Sequence, residues 1–107
     1  MTSLRGFAIP STASNFSIST ATSAAVVTAG ANVRGIILHT ANCFVTSTGV
    51  AADGTSVRFG NRQIVGAQGA NGRAQLNAPL ILPPGTALEV AGTSASLTAS
   101  EGFYTLL

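Results

Sequence analysis

The chain has 107 residues and contains no lysine, no tryptophan, one histidine (His39), one cysteine (Cys43) and three carboxylates (Asp53, Glu89 and Glu101). Hydrophobic residues make up 46% of it and charged residues only 7%, far below the roughly 25% charge of an ordinary soluble protein. This inventory argues against an enzyme, and against wholesale disorder, which goes with high charge and few β-branched residues. It also argues against nucleic acid as a partner: Arg5, Arg34, Arg58, Arg62 and Arg73 are scattered rather than clustered.

A chain of this length fits one domain that is short on buried area, so association with neighbours would add useful burial. Residues 1–10 offer one arginine and an apolar run broken by Pro10, which is not the pattern of a secretory signal. No apolar stretch approaches the ~20 residues needed to cross a bilayer. The expectation is a protein made in a cytoplasm without a membrane partner. Lone Cys43 has no intrachain disulfide partner and reads as a small buried hydrophobe.

Residues 1–23 are rich in Ser and Thr, with isolated Leu4, Phe7, Ile9, Phe16 and Ile18. Two readings are open. The segment is an extended arm whose apolar side chains plug pockets on a neighbour, or it is a first strand of the domain behind a frayed terminus. The arm reading sets residues 1–23 apart from a single β domain at 24–107, with Arg58 and Arg62 as further interface candidates.

From Ala24 onward, turn chemistry recurs every 8–12 residues, the spacing of a sandwich or barrel. Strands are expected at Ala24–Ala29, Val33–Thr40 and Cys43–Thr48. Gly49–Ala52 then leads to Asp53-Gly54, a two-residue hairpin signal before a strand at Ser56–Phe59. Gly60-Asn61 bends the chain into Gln63–Ala67, and Gly69-Ala70-Asn71-Gly72 forms a loop tip before Ala74–Asn77.

Leu80–Leu82 and Ala87–Val90 flank Pro83-Pro84-Gly85. Proline followed by glycine suits a type II turn, because proline pre-sets φ and glycine accepts φ > 0. Ala95–Ala99 and Phe103–Leu106 complete the set. Val57 and Phe59 bracket Arg58, Leu88 and Val90 bracket Glu89, and Ala95, Leu97 and Ala99 alternate with Ser96 and Thr98, so each triplet is expected to turn its apolar members inward. The fold class is all-β: an antiparallel, jelly-roll-like β-sandwich with an extended N-terminal arm.

Chemistry finds little purchase. A Ser/His/Asp triad would have to use His39 and Asp53, and no serine lies in a nucleophile-elbow pattern. His39 and Cys43 are four apart, too few for a zinc site within one chain, although a homotrimer would present three copies of His39 about its axis. Gly30-Ala31-Asn32-Val33-Arg34-Gly35 lacks the Lys-Ser/Thr pair of a phosphate cradle. No catalytic residue, metal ligand or cofactor is expected.

Asn32-Val33-Arg34-Gly35-Ile36-Ile37-Leu38, the segment from Leu80 through Pro83-Pro84-Gly85 to Val90, and the ending Phe103-Tyr104-Thr105-Leu106-Leu107 resemble small β-sandwich structural proteins of tailed bacteriophage virions. These decorate or cement capsids, or serve as neck and tail adaptors and fibre-base parts. The resemblance covers about Ala31 to Leu107 and is one of texture and hairpin pattern.

It implies a protein without an active site, a homo-oligomer and most often a trimer, bound to the major capsid protein or other virion proteins. A carbohydrate or cell-surface binding module of a tail or fibre is the alternative. That alternative calls for an exposed aromatic platform, for which Tyr104 or Phe59 would have to face solvent.

Overall fold

The structure is a computed structural model, and it describes residues 9–46 and 53–107. Leu4 and Phe7 lie outside the described residues, as do the 47–48 end of one expected strand and the segment 49–52. Nine strands form: β1 (Ser14–Ile18), β2 (Ser23–Val27), β3 (Ile36–Val45), β4 (Gly54–Phe59), β5 (Arg62–Gln68), β6 (Arg73–Gln75), β7 (Leu80–Leu82), β8 (Leu88–Gly92) and β9 (Thr98–Leu106).

They make two sheets. The first runs β1-β9-β3-β6, with β7 also paired to β3, and the second runs β2-β8-β4-β5. β6 and β7 lie in turn along the same edge of β3, against Asn42–Phe44 and Ile36–Leu38 respectively. Taken as one interrupted strand, they complete a nested set of antiparallel couples: β1 with β9, β2 with β8, β3 with β6/β7, and β4 with β5. The chain is thus one long hairpin, its tip at Gly60-Asn61, rolled into two four-stranded layers. That is the jelly-roll arrangement.

Local chemistry explains the turns. Gly60, first of the two tip residues, has φ 61°, the left-handed conformation that a type II′ hairpin requires there. Gly85 follows Pro84 with φ 89°, as the type II turn demands. Asp53-Gly54 does not close a hairpin. β3 and β4 belong to different sheets, so the chain crosses between layers there and Gly54 opens β4.

β3 and β9 are each one long strand where the sequence suggested two. β3 is continuous because a bulge between Leu38 and Thr40 absorbs His39 without ending the ladder.

The core draws on both inner faces: Phe16, Ile36, Leu38, Ala41, Cys43, Val45 and Leu82 from the first sheet, Val27, Val57, Ala67, Leu88 and Val90 from the second. Phe16 is only 6% exposed. It lies opposite Gly102 in the β1·β9 pair, and a Cβ on Gly102 would meet the Phe16 ring at 2.9 Å. The missing glycine side chain makes the room that the ring fills. Phe16 and Ile18 are therefore packing residues of a first strand, and the expected arm does not include them.

Two polar devices lie inside. Thr55 Oγ1 and Ser100 Oγ are 2.8 Å apart across the sheets, and Ser100 Oγ donates to Cys43 Sγ at 3.2 Å. Thr98 and Ser100 therefore point inward while Leu97 is 38% exposed, the reverse of the expected alternation. The hydrogen-bonded hydroxyls decide the facing of the strand there. Burial pushes the Cys43 thiol above its ordinary value, and its hydrogen bond with Ser100 opposes the shift.

Asn32 is the second device. Its Nδ2 donates to the Pro83 and Thr86 carbonyls at 2.9 Å each, and its Oδ1 accepts from the Gly35 amide at 2.9 Å. It clamps the β2–β3 loop to the β7–β8 turn.

Candidate interaction face

The inward set on β3 and β9 (Leu38, Ala41, Cys43, Ser100 and Gly102, all buried) sends the residues between them to the outer face of the first sheet. Pairing registers order that face in rows across the strands. Ile81, Ile37 and Thr105 form one row. Thr40, Phe103 and Asn15 form a second. Gln75, Asn42, Glu101 and Ser17 form a third, and Arg73, Phe44 and Ala99 a fourth.

The end of this sheet beside Leu107 is apolar on both faces: Ile81 lies on an outer row, whereas Leu80 and Leu106 pair with the inward Leu38 and Ile36. Eight large hydrophobic side chains are exposed among the described residues, and Val33, Leu80, Ile81, Phe103, Leu106 and Leu107 are six of them. Ile81, at 76%, and Val33, at 73%, are the most exposed. They gather where the chain ends: Leu107 N donates to the Gly35 carbonyl at 3.0 Å, and Leu106, Thr105 and Tyr104 lie opposite Ile36, Ile37 and Leu38. His39 Nε2 sits 2.8 Å from Thr105 Oγ1 beside this patch.

The third and fourth rows enclose an open depression lined by Asn42, Phe44, Arg73, Gln75 and Glu101. The Arg73 guanidinium lies over the Phe44 ring, 5.9 Å from its centroid, a cation–π contact that holds the guanidinium in place.

No protein-family model matches this chain, and no curated protein matches it.

The expected interface residues do not come together. Ile9 is 39% exposed and precedes the turn, closed by Ala13 N donating to the Pro10 carbonyl, that feeds β1 at its Tyr104 end. Arg58 and Arg62 belong to the second sheet: Arg58 faces Glu89 across β4 and β8 and donates to the Asn61 carbonyl at 3.0 Å, and Arg62 opens β5 beside the hairpin tip.

The condition set for a carbohydrate module, an exposed ring at Tyr104 or Phe59, is not met. Tyr104 and Phe59 are half-buried against the core, and the rings on the outer face are Phe44 and Phe103. Among the described residues, no three of His, Cys, Asp and Glu are grouped so as to hold a metal ion. The sequence signal that would have found this face is the outward parity of Ile37, Asn42 and Phe44 on β3. The bulge at His39 hides it by shifting the alternation by one.

Proposed function

We propose that this chain is a non-enzymatic structural subunit that works by being packed into a larger assembly. Within that class we read it as a capsid decoration or stabilisation protein of a tailed bacteriophage, a homotrimer made in the host cytoplasm and bound to the major capsid protein or other virion proteins. A neck or tail adaptor role belongs to the same class and uses the same surface.

The observation that carries the reading is the concentration of six exposed large hydrophobic side chains at one end of one sheet. Isolated soluble domains seldom keep such a patch open to water, and patches of this kind mark protein–protein contact. The residues forming it carry no charge, so repeated copies meet there without like-charge repulsion. The low overall charge acts in the same direction, because little on the surface opposes association.

The test is the solution mass by size-exclusion chromatography with light scattering over a hundredfold concentration range, followed by antibody labelling of virions. A trimer that Ile81→Asp converts to a folded monomer, together with label on the capsid, is the expected result. A monomer at every concentration, with no label on virions, overturns the reading.

A further inference from the structure

We propose that the middle of the same sheet face is a binding site for a neutral oligosaccharide, laid across the strands along the row Ser17, Glu101, Asn42 and Gln75. This site adjoins the apolar end and shares Phe103 with it, and its polar row stands without the assembly reading. Four strands spaced about 4.8 Å apart make the row about 14 Å long. That is room for an extended ligand of a few sugar rings, and the depression is open along its length rather than enclosed.

The chemistry of the row matches hydroxyl groups. A sugar hydroxyl both donates and accepts, and so does a carboxamide; Asn42 and Gln75 place two carboxamides side by side, with the Glu101 carboxylate as an acceptor next to them. Antiparallel registers put an aromatic ring on each side of the row. Phe44 lies two residues beyond Asn42 in one direction along the strands, and Phe103 two residues beyond Glu101 in the other. Each ring is about 7 Å from the row; the Phe103 ring is placed to pack against the C–H face of a pyranose, while Arg73 covers the Phe44 ring.

Charge narrows the ligand class. Glu101 and Arg73 contribute one charge of each sign to the depression, so it attracts neither anions nor cations strongly, and a neutral glycan suits it best. Arg73 is already stacked on Phe44, which lowers the entropy lost when its N–H groups engage a ligand. In a chain with 7% charged residues, an amide pair, an acid, a base and two rings on adjacent rows form the one polar island of this face.

The test starts with the full chain on an array of neutral and acidic oligosaccharides. The strongest neutral binder, or maltohexaose if none is retained, is then titrated into 15N-labelled protein. Retention of neutral glycans is expected, with shifts in the side-chain amide signals of Asn42 and Gln75. Gln75→Ala and Glu101→Gln, both at exposed positions, should each weaken binding by about tenfold. Gln68→Ala on the opposite sheet should leave it unchanged, and all three variants should keep the parent melting temperature.

No retained neutral glycan and no shift with maltohexaose, retention of acidic glycans alone, or binding indifferent to the Gln75 and Glu101 substitutions overturns the proposal. A parent chain that is monomeric at every concentration yet binds glycan would sink the assembly reading alone.

Discussion

On the outer face of the first sheet the rows hold Ile81, Ile37, Phe103, Phe44 and Arg73, side chains that reach well beyond the backbone. On the second sheet one row is Ser23, Ala91, Ser56 and Gly66, and the next is Ala25, Glu89, Arg58 and Gln63. Where the first face offers rings and long aliphatic groups, the second offers a shallow groove of about 310 Å³ with Ser56, Gly66 and Ala91 in its lining. The same Ser-, Ala- and Gly-rich composition thus yields one face that carries rings and aliphatic side chains and one whose row at Ser23, Ala91, Ser56 and Gly66 is nearly bare beside a charged row. The difference lies in which residues the strand parity sends outward.

The contrast predicts that Gly102 and Gly66 tolerate substitution very differently. A Cβ on Gly102 would run into the Thr40 carbonyl as well as the Phe16 ring. Gly102→Ala is expected to cost about 3 kcal/mol or more, the upper range for overpacking, because backbone must move. Chemical denaturation reads this directly, and a loss below about 1 kcal/mol would mean that β1 does not pack as described.

Next in size is Asn32→Ala. It removes the side-chain partner of the Pro83 and Thr86 carbonyls and of the buried Gly35 amide, at about 2–4 kcal/mol in total. Because Asn32 holds the connections that join the sheets at the apolar end, the loss should come with faster amide exchange at Gly35 and Gly85. Ser100→Ala leaves the Thr55 hydroxyl without its cross-sheet partner and should cost about 1–2 kcal/mol by the same assay.

A smaller effect is read through pH. The buried Cys43 thiol ionises at higher pH in the folded chain than in the unfolded one, whose thiol keeps its ordinary value of 9.0. Its contribution is complete below pH 9.0 and is lost as pH rises through the folded value, since only the unfolded state then gains from ionisation. Stability should therefore fall more steeply above pH 9 in the parent than in Cys43→Ala, as urea midpoints from pH 7 to 10.5 would show.

Smallest of all is Gly66→Ala in the bare row. Its Cβ meets only the Gln63 side-chain amide, at 2.6 Å. A flexible, exposed side chain swings aside, so the change should be under about 1 kcal/mol.

Much of the layering was legible in the residues. Leu80–Leu82 is observed with the expected bounds, the Pro84-Gly85 turn has the expected glycine conformation, and Leu88 and Val90 face inward around an outward Glu89. Three things were hidden, each for a physical reason. Phe16 fitted an arm and a first strand equally well because its pocket is the absent side chain of Gly102, 86 residues away in sequence. The alternation Ala95, Leu97 and Ala99 pointed the wrong way because Thr98 and Ser100 find hydroxyl and carbonyl partners inside, Thr98 Oγ1 donating to the Ser94 carbonyl at 2.6 Å.

The outer face of the first sheet is assembled from five strands, β1, β3, β6, β7 and β9. Its rows exist only through register, and no single segment of the chain carries them.

The nesting of the strands has a consequence for synthesis. β9, the last of these nine strands in chain order, is not an edge: it lies between β1 and β3 in the first sheet. While the ribosome is still adding residues before Thr98, β1 has no ladder to join, and Ile36, Leu38 and Phe16 lack the strand that seals them. The second sheet meets the same delay in milder form, since β2 waits for β8. Folding of the whole is thus postponed until nearly the entire domain has emerged, and such late, long-range closure is slow and leaves apolar strands exposed in the meantime. For a chain with so few charges, the minutes around its birth are when sticking to the wrong neighbour is the greatest hazard.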